Sequence, residues 1–327
     1  MSGAIGRAGG WDVHTHIIPP DVIAAAETGR YGMTLTGGKL GVCGHGVPLL
    51  PISDVTRLLD RLHADGLDGA IVSVPPPLFR PDLSRAEGRD YTRLVNDGLL
   101  RACRIEPNAL RPLAYLPGED PELAAELAGQ LGSEWAGAVM GTAFGNGLSY
   151  AHPGFDPLWQ ILSDARLPLF IHPGATPDRR LDHYYLANLL GNPVETTIAA
   201  ANLLFSGVIY RFPRLTVILA HGGGALAALI GRWQRGVETA RPGIPAMPAA
   251  PLAAVQRFYI DSLFHSAPFR DAAISIIGIG RVLLGSDWPF PMGAPTADHD
   301  LAGLDPDLRR RIRKDNCEGA FGFRLHA

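Results

Sequence analysis

Short apolar runs of strand length alternate along the chain with longer segments in which apolar residues recur every three to four positions. The short runs are typical of buried parallel strands and the longer segments of amphipathic helices, so the pattern predicts repeated βα units. Eight strands are expected, at residues 11–14, 70–74, 111–116, 136–140, 168–171, 216–220, 258–260 and 282–284. Eight strands close a barrel, and we therefore predict an α/β fold, a (β/α)8 TIM barrel.

The helices between these strands are predicted to begin near residues 53, 90, 120, 156, 192, 224, 268 and 298. The sequence Asn192-Pro193-Val194-Glu195 combines an N-cap residue, a proline at the first helical position and a glutamate that can reach back to the cap. Gly66 is expected to adopt a left-handed backbone conformation and thereby to end the first barrel helix.

Two segments interrupt the regular alternation. Residues 19–52 connect the first strand to the first helix and are too long for a simple loop. Within them, residues 34–42 predict a β-hairpin on a Gly37-Gly38 turn, and we expect this insertion to form a small lid over the active site. Residues 240–254 are rich in proline and are predicted either as an arm that packs on a neighbouring subunit or as an ordered surface loop.

Composition limits the class of protein. The 327 residues are 46% hydrophobic with mean hydropathy +0.09, and we predict a single domain over residues 1–327. A net charge of −3 and a pI near 6.4 give no electrostatic reason to expect binding of nucleic acid or of an anionic membrane. We predict neither a signal peptide nor a membrane span, and the three scattered cysteines fit a reducing cytoplasm.

Residues that can bind a metal stand where three of the predicted strands end. His14 and His16 are two residues apart, so on the first strand both point to one face; His172 ends the fifth strand and Asp287 follows the eighth. Barrel enzymes carry their chemistry at the C-terminal strand ends, so these side chains are expected to converge. They predict one divalent metal, Zn²⁺ first, with Mn²⁺ or Fe²⁺ as alternatives. The alternative for any single histidine is a buried imidazole satisfied by hydrogen bonds.

His221 ends the sixth predicted strand and is followed by three glycines. Serine hydrolases have a similar oxyanion loop, but this chain contains no Gly-x-Ser-x-Gly motif. We predict that His221 is a general acid or base beside the metal-bound water, with direct ligation of the metal as the alternative. The only lysines, Lys39 and Lys314, lie at no predicted strand end, which argues against a Schiff base and against a lysine carbamate that bridges two metals.

In these residues and the motifs around them, the chain resembles the amidohydrolase superfamily. More narrowly, it resembles the amidohydrolase-2 group, which contains aminocarboxymuconate semialdehyde decarboxylase and aromatic acid decarboxylases. The matching motifs span nearly the whole chain and include Asp12-Val13-His14-Thr15-His16, Phe170-Ile171-His172-Pro173, Gly191-Asn192-Pro193-Val194-Glu195, Ala220-His221-Gly222-Gly223-Gly224, Tyr259-Ile260-Asp261-Ser262 and Gly285-Ser286-Asp287-Trp288-Pro289. The resemblance implies a distorted barrel, one metal on His14, His16, His172 and Asp287, a water oriented or activated by His221, and a homodimer.

The resemblance also suggests substrate-binding residues. His265 matches a further family histidine near the site, with a packed loop histidine as the alternative. The arginine with which aminocarboxymuconate decarboxylases bind a substrate carboxylate has no counterpart in residues 40–46. Arg80 and His45 are candidate replacements, and Arg241 stands where the family has an arginine that a neighbouring subunit can contribute. For Arg80 and for Arg241, the alternative is a solvated or ion-paired arginine without a role in substrate binding.

The expected reaction is non-oxidative decarboxylation of a small aromatic or unsaturated carboxylic acid. The metal and cationic side chains would hold the carboxylate, and His221 or Asp287 would protonate the carbon that carries it. Trp288 and Phe290 are expected to form an apolar wall for a flat ring, or else to be core residues beneath the last loop. The same residues also support hydrolysis of a lactone, ester or amide, or hydration of an unsaturated dicarboxylate.

Overall fold

The computed structural model describes residues 9–174 and 176–322. In chain order, the strands of this part are β1 (Trp11–His16), β2 (Thr34–Thr36), β3 (Lys39–Val42), β4 (His45–Pro48), β5 (Gly69–Ser73), β6 (Leu110–Tyr115), β7 (Gly137–Met140), β8 (Leu169–Ile171), β9 (Val217–Leu219), β10 (Phe258–Asp261) and β11 (Val282–Leu283). The helices are α1 (Pro20–Glu27), α2 (Val55–Ala64), α3 (Arg85–Cys103), α4 (Pro121–Ala128), α5 (Asp156–Asp164), α6 (Asn192–Phe205), α7 (Val208–Arg211), α8 (Leu226–Glu238), α9 (Pro251–Ala254), α10 (Ala267–Ile277), α11 (Pro306–Arg310) and α12 (Asn316–Phe321).

Eight of the strands form one parallel sheet in the order β1-β5-β6-β7-β8-β9-β10-β11. Its two edges approach each other, because the Val13 N–H donates to Leu284 O at 2.8 Å and Thr15 forms a parallel bridge with Trp288. These contacts nearly close a (β/α)8 barrel, whose strands are buried between the interior side chains and the surrounding helices. All eight predicted strands are confirmed, each end within two residues of its prediction.

Six of the eight predicted helix starts lie within two residues of those in the structure. The start predicted near residue 90 is wrong: α3 begins at Arg85, because Ser84 and Glu87 form a capping box there. The start predicted near residue 298 is also wrong, since only a short 3-10 turn lies there and α11 begins at Pro306. Gly66, with φ 65°, has the predicted left-handed backbone after α2.

The predicted cap at Asn192 is wrong. A helical turn, Ala187–Gly191, precedes α6 directly, so Asn192 has helical backbone and its side chain makes no capping hydrogen bond. Glu195, which was expected to reach back to the cap, instead accepts a hydrogen bond from Thr176 Oγ1 at 3.3 Å. Both polar side chains of this first turn of α6 are therefore available to the cavity described below.

The insertion between β1 and α2 contains α1 and a three-stranded antiparallel sheet, β2-β3-β4. The predicted hairpin is confirmed: β2 pairs with β3, and Gly37 and Gly38 turn the chain with φ 56° and 72°, which glycine adopts without steric cost. A second turn at Cys43-Gly44 adds β4, a strand that the sequence did not predict. A lid function for this insertion stays a prediction.

Residues 240–250 form no helix or strand, and α9 follows them. Packing of this proline-rich segment on a neighbouring subunit stays a prediction. Among the described helices, none combines the length and the apolar character that crossing a lipid bilayer requires.

Candidate metal centre and active site

Five polar side chains meet at the C-terminal end of the barrel. His14 and His16 end β1, whereas the other three follow β8, β9 and β11 and are His172, His221 and Asp287. The ring centroid of His14 lies 4.9 Å from that of His172, 5.1 Å from that of His16 and 5.3 Å from that of His221. Asp287 Oδ1 lies 3.1 Å from His16 Nε2 and 3.3 Å from His14 Nε2. The structure thus brings these five residues together.

The cluster fits a divalent cation. His14, His172, His221 and Asp287 each present a ligand atom, and these four atoms lie within 4.8 Å of one another. Two of the ring nitrogens, His172 Nε2 and His221 Nδ1, are buried without a hydrogen-bond partner among the described residues, and His14 Nε2 faces only the Asp287 carboxylate, at 3.3 Å. Buried polar atoms normally have a partner, and nitrogens beside a carboxylate suit Zn²⁺ and related ions.

Two sets of metal ligands fit the cluster, and they differ in which histidine is the third imidazole ligand. The predicted set contains His16, whose Nε2 faces Asp287 and whose ring lies 5.1 Å from that of His172. The group of four residues whose ligand atoms lie within 4.8 Å of one another contains His221 in place of His16. The ligand set His14, His16, His172 and Asp287 therefore stays a prediction, with direct ligation by His221 as its alternative.

Burial and the neighbouring carboxylates set the charges in the cluster. Burial lowers the pKa of His172 well below its usual range and also lowers the pKa of His16, so both rings are neutral near pH 7 and keep a lone pair for a metal. Burial also works against a charge on His14, but Asp287 and Asp261 outweigh it and raise the pKa of His14 to about 10 in the metal-free site. A bound cation would take the place of that proton.

Asp287 is held ionised by the same neighbours. Burial opposes its charge, but His14 and the hydrogen bonds from the surrounding imidazoles lower the pKa of Asp287 well below its usual range. The carboxylate is therefore an anion at neutral pH and can serve as a metal ligand.

Asp261, at the end of β10, contacts the cluster and had no role in the sequence-based prediction. Its Oδ2 accepts hydrogen bonds from His14 Nδ1 at 2.7 Å and from the His221 backbone N–H at 2.9 Å, and its Oδ1 accepts one from the Gly222 N–H at 2.7 Å. This buried carboxylate turns His14 Nε2 towards the centre of the cluster and also holds the His221 turn. A signal was available in the sequence, because Asp261 directly follows a predicted strand.

We predict that Asp261→Asn weakens metal binding about 10- to 100-fold, because the amide removes the charge that orients His14. Asn is close in shape to Asp and keeps an oxygen for the Gly222 N–H, so the fold is expected to persist. Competition with a chromophoric chelator measures the affinity, and circular dichroism checks the fold. Asp60→Asn, at an exposed position of α2, is the matched control. An affinity equal to that of the control would contradict the assigned role.

The turn after β9 aims His221 into the site. His221 has a left-handed backbone, φ 56°, as does Asp287 with φ 59°, and such strain in residues other than glycine is typical of functional sites. Gly222 follows with φ 61°, and a Cβ there would lie 2.8 Å from the ring of Phe264. The His221 ring centroid is 5.0 Å from that of His172, and its Nε2 is 3.7 Å from Asp287 Oδ2.

A cavity of about 810 Å³ contains His172, His221 and Asp287 in its wall. This volume suits a small molecule, and most of the wall is apolar, with Phe79, Phe144, Tyr150, Phe290 and Met292 among its residues. Phe290 also packs on His16, with ring centroids 5.3 Å apart, and His45 reaches the wall from the insertion. The described residues of the wall include neither arginine nor lysine. Substrate contacts of Phe290 and His45 stay predictions.

Arg80 lies outside the described cavity wall and is engaged elsewhere. Its buried guanidinium donates from Nε and Nη2 to the Asp82 carboxylate, at 2.6 Å each, and from Nη1 to Tyr31 O at 2.8 Å. A substrate carboxylate would have to displace Asp82 to reach it. This geometry supports the ion-paired alternative and makes Arg80 a link between the insertion and the barrel, so we do not include it among the proposed substrate contacts.

Three further predicted substrate-binding residues also lie outside the described cavity wall. Arg241 is exposed and donates to Thr239 O at 3.1 Å, and its contribution to a neighbouring subunit stays a prediction. His265 is exposed, with a left-handed backbone of φ 57°. Trp288 is 9% exposed and packs in the hydrophobic core, which agrees with its alternative interpretation as a core residue.

The cavity wall also contains polar residues that the sequence analysis did not connect with a substrate. They lie on the loops after β7 and β8 and on or just before α6, and include Thr142, Thr176, Asn188, Asn192, Glu195 and Asn202. Asn192 and Glu195 were not predicted as cavity residues because their spacing is also typical of a helix cap.

A parallel barrel that gathers imidazoles and a carboxylate at its C-terminal end defines a class, the metal-dependent barrel proteins. Within that class, the family model described as amidohydrolase matches residues 11–323. The chain therefore belongs to the amidohydrolase family.

Curated proteins and solved structures that are similar to this chain match most of its length. The γ-resorcylate decarboxylase of Rhizobium sp. (strain MTP-10005) is 30% identical over 265 residues, 74% of this chain and 78% of the relative. The 2-amino-3-carboxymuconate-6-semialdehyde decarboxylase of Dictyostelium discoideum is 28% identical over 296 residues, 86% and 82% of the two chains. A crystal structure of 5-carboxyvanillate decarboxylase from Novosphingobium aromaticivorans, complexed with manganese and 4-hydroxy-3-methoxy-5-nitrobenzoic acid, has a TM-score of 0.75 at 23% identity and covers 84% of this chain and 82% of that one.

Proposed function

We propose that this protein is a carboxy-lyase that removes CO₂, without oxidation, from a small aromatic or unsaturated carboxylic acid. One observation carries the proposal: a largely apolar cavity has His221 in its wall, beside a cluster of residues suited to a divalent cation. The decarboxylase names of relatives that match most of the chain support it further.

In this proposal His14, His16, His172 and Asp287 hold one divalent cation. When bound, the cation supplies a Lewis acid that positions the substrate carboxylate and a neighbouring oxygen. We propose Zn²⁺ because imidazoles with one carboxylate suit it, and Mn²⁺, the metal of the Novosphingobium structure, is the alternative. Metal analysis of the purified protein, followed by reconstitution with each ion, distinguishes the two.

His221 is the proposed proton donor, because it lies in the cavity wall and Asp287 is assigned to the cation in this proposal. The His221 imidazolium would protonate the ring carbon that carries the carboxylate and make that carbon tetrahedral. The bond to the carboxylate then breaks, its electron pair returns to the ring, and CO₂ leaves. Phe290 and His45, both in the cavity wall, would position the ring.

We also propose that the protein is a cytoplasmic homodimer. Exposed apolar side chains cluster in and just before α6, and they are Tyr184, Tyr185, Leu189, Leu190, Val194 and Ile198. A patch of this kind is typical of a surface that another protein covers. The three cysteines are all free, which fits a reducing compartment. Light scattering distinguishes a dimer from a monomer.

The reaction is tested by incubating the metal-loaded protein with ortho-hydroxy aromatic acids and muconate-type acids, and separately with lactones, esters and amides. We expect CO₂ from at least one acid, loss of this activity after chelation, and its return when metal is added. Turnover of a lactone, ester or amide without CO₂ from any acid would show that the protein is a hydrolase and not a decarboxylase. Loss of conjugation without CO₂ would indicate hydration of an unsaturated dicarboxylate.

A further inference from the structure

A buried hydroxyl contacts one of the predicted metal ligands from a neighbouring barrel strand. Ser73 ends β5 and is 2% exposed. Its Oγ lies 3.0 Å from His16 Nδ1 and 3.4 Å from Thr15 O. Ser73 is not among the described residues of the cavity wall, so its influence on the site passes through the residues that it contacts.

The register of the barrel strands makes this contact. At the start of the β1–β5 ladder, Asp12 is opposite Ala70, and at its end His16 is opposite Ser73. The ladder thus advances four residues along β1 but three along β5, because the register shifts within β1, as at a β-bulge. Without this shift, Val74 would be opposite His16 and would offer no hydroxyl. Bulges often direct a side chain in this way beside an active site.

The contact determines which nitrogen of His16 is free for a metal. His16 Nε2 faces Asp287 Oδ1 at 3.1 Å, within the cluster. A neutral imidazole carries one proton, so when Nε2 binds a cation the proton is on Nδ1. The Ser73 oxygen then accepts a hydrogen bond from Nδ1, and the Ser73 hydroxyl donates to Thr15 O. The backbone of Val74 also accepts a hydrogen bond from this ring, so the two residues hold it together.

The other two predicted imidazole ligands are held in the same way. His14 Nδ1 donates to Asp261 Oδ2 at 2.7 Å, and His172 Nδ1 donates to Pro173 O at 2.8 Å. By contrast, His221 Nδ1 is buried without a hydrogen-bond partner among the described residues. Histidines that bind metals almost always donate their other ring N–H to such a partner. By this criterion the imidazole bound by the serine belongs with the metal ligands, whereas His221 stands apart from them.

We propose that Ser73 is a positioning residue of the metal centre, whose hydroxyl holds His16 Nδ1 and thereby directs Nε2 to the cation. This inference rests on the metal centre of the proposed function and is independent of the reaction that occurs there. Asp261 orients His14 with a charge, whereas the Ser73 hydroxyl is neutral. Ser73 therefore fixes the direction of a ligand without changing the net charge around the cation.

Two substitutions separate the hydroxyl from the rest of the side chain. Ser73→Ala removes it, and we expect the affinity for Zn²⁺ to fall about tenfold, because only Val74 still holds the ring. Ser73→Thr keeps the hydroxyl and is expected to bind Zn²⁺ about as tightly as the wild-type protein. Ser163→Ala, at a serine buried on α5, is the matched control and should leave the affinity unchanged. Competition with a chromophoric chelator measures all four proteins.

The visible absorption of the Co²⁺-loaded protein reports the geometry of the metal ligands. We expect Ser73→Ala to change the position or intensity of these bands, whereas Ser73→Thr and Ser163→Ala should keep the wild-type spectrum. A purely structural role would lower the melting temperature and leave the spectrum of the folded protein unchanged. Thermal melting therefore accompanies each measurement. If Ser73→Thr does not fold, the comparison of Ser73→Ala with Ser163→Ala decides.

The outcomes separate this inference from the proposed function. Weaker Zn²⁺ binding and a changed Co²⁺ spectrum in Ser73→Ala would support the positioning role even if no acid yields CO₂. An affinity and a spectrum equal to those of Ser163→Ala would overturn it even if decarboxylation is observed. An equal loss of affinity in folded Ser73→Ala and Ser73→Thr would overturn it as well, since the hydroxyl would then be immaterial. A wild-type protein that binds neither ion would also overturn it.

Discussion

Asp287→Asn is expected to remove both the metal and the activity. The Asp287 carboxylate lies 3.1 Å from His16 Nε2 and 3.3 Å from His14 Nε2, and it is the only carboxylate in the four-residue group of possible ligands. An amide oxygen carries no charge and binds a divalent cation more weakly. Because the bound metal supplies several kcal/mol of stabilisation to such a reaction, we expect turnover to fall at least about a thousandfold.

The measurement combines metal content after dialysis with the rate of CO₂ release at saturating added metal. Asp60→Asn, the exposed control, should retain both. The shape of the side chain is nearly unchanged, so thermal unfolding of the metal-free proteins is expected to remain cooperative. A fully metal-loaded and active Asp287→Asn protein would exclude Asp287 as a ligand.

His221→Ala is expected to abolish turnover while the metal stays bound. His221 lies in the cavity wall beside His172 and Asp287, which is where a proton donor for the substrate is needed. Loss of a general acid costs about 100- to 10,000-fold in rate. The predicted ligands His14, His16, His172 and Asp287 all remain in this variant, so the affinity for metal is expected to change little.

The comparison of the two variants decides the role of His221. Loss of metal from His221→Ala would make His221 a direct ligand, in agreement with its place in the group whose ligand atoms lie within 4.8 Å of one another. Retained metal with near-normal turnover would contradict its role as proton donor. His299→Ala is the matched control, since that imidazole is half exposed and its described partner, Asp300, is a neighbour in sequence.

The strand ends illustrate how much of the site could be predicted. Buried parallel strands have a strong local signature, so the sequence was sufficient to place His14, His16, His172, His221 and Asp287 at the C-terminal ends of their strands. Closure of the barrel then brings them within a few ångströms of one another, as ring centroids 4.9 to 5.3 Å from that of His14 show.

Other predictions failed where the partner of a side chain is set by the folded loops or where the local signal has two meanings. Asn192 has the residue type of an N-cap, but the helical turn before it removes that role. Arg80 was a candidate for the substrate carboxylate, but its guanidinium is bound by Asp82 and by Tyr31 in the insertion. The spacing of residues along the chain does not indicate which side chains will already be bound by other residues in the folded protein.

The sequence by itself determined the barrel, the eight strands and the polar residues at the strand ends, because periodicity and residue type are local properties. Only the tertiary structure decided that Asp261 supports His14 from 247 residues away, that Arg80 links the insertion to the barrel, and that Glu195 lies in a wall without arginine or lysine among its described residues. These features depend on long-range contacts and on burial, which exist only once the chain has closed around the site.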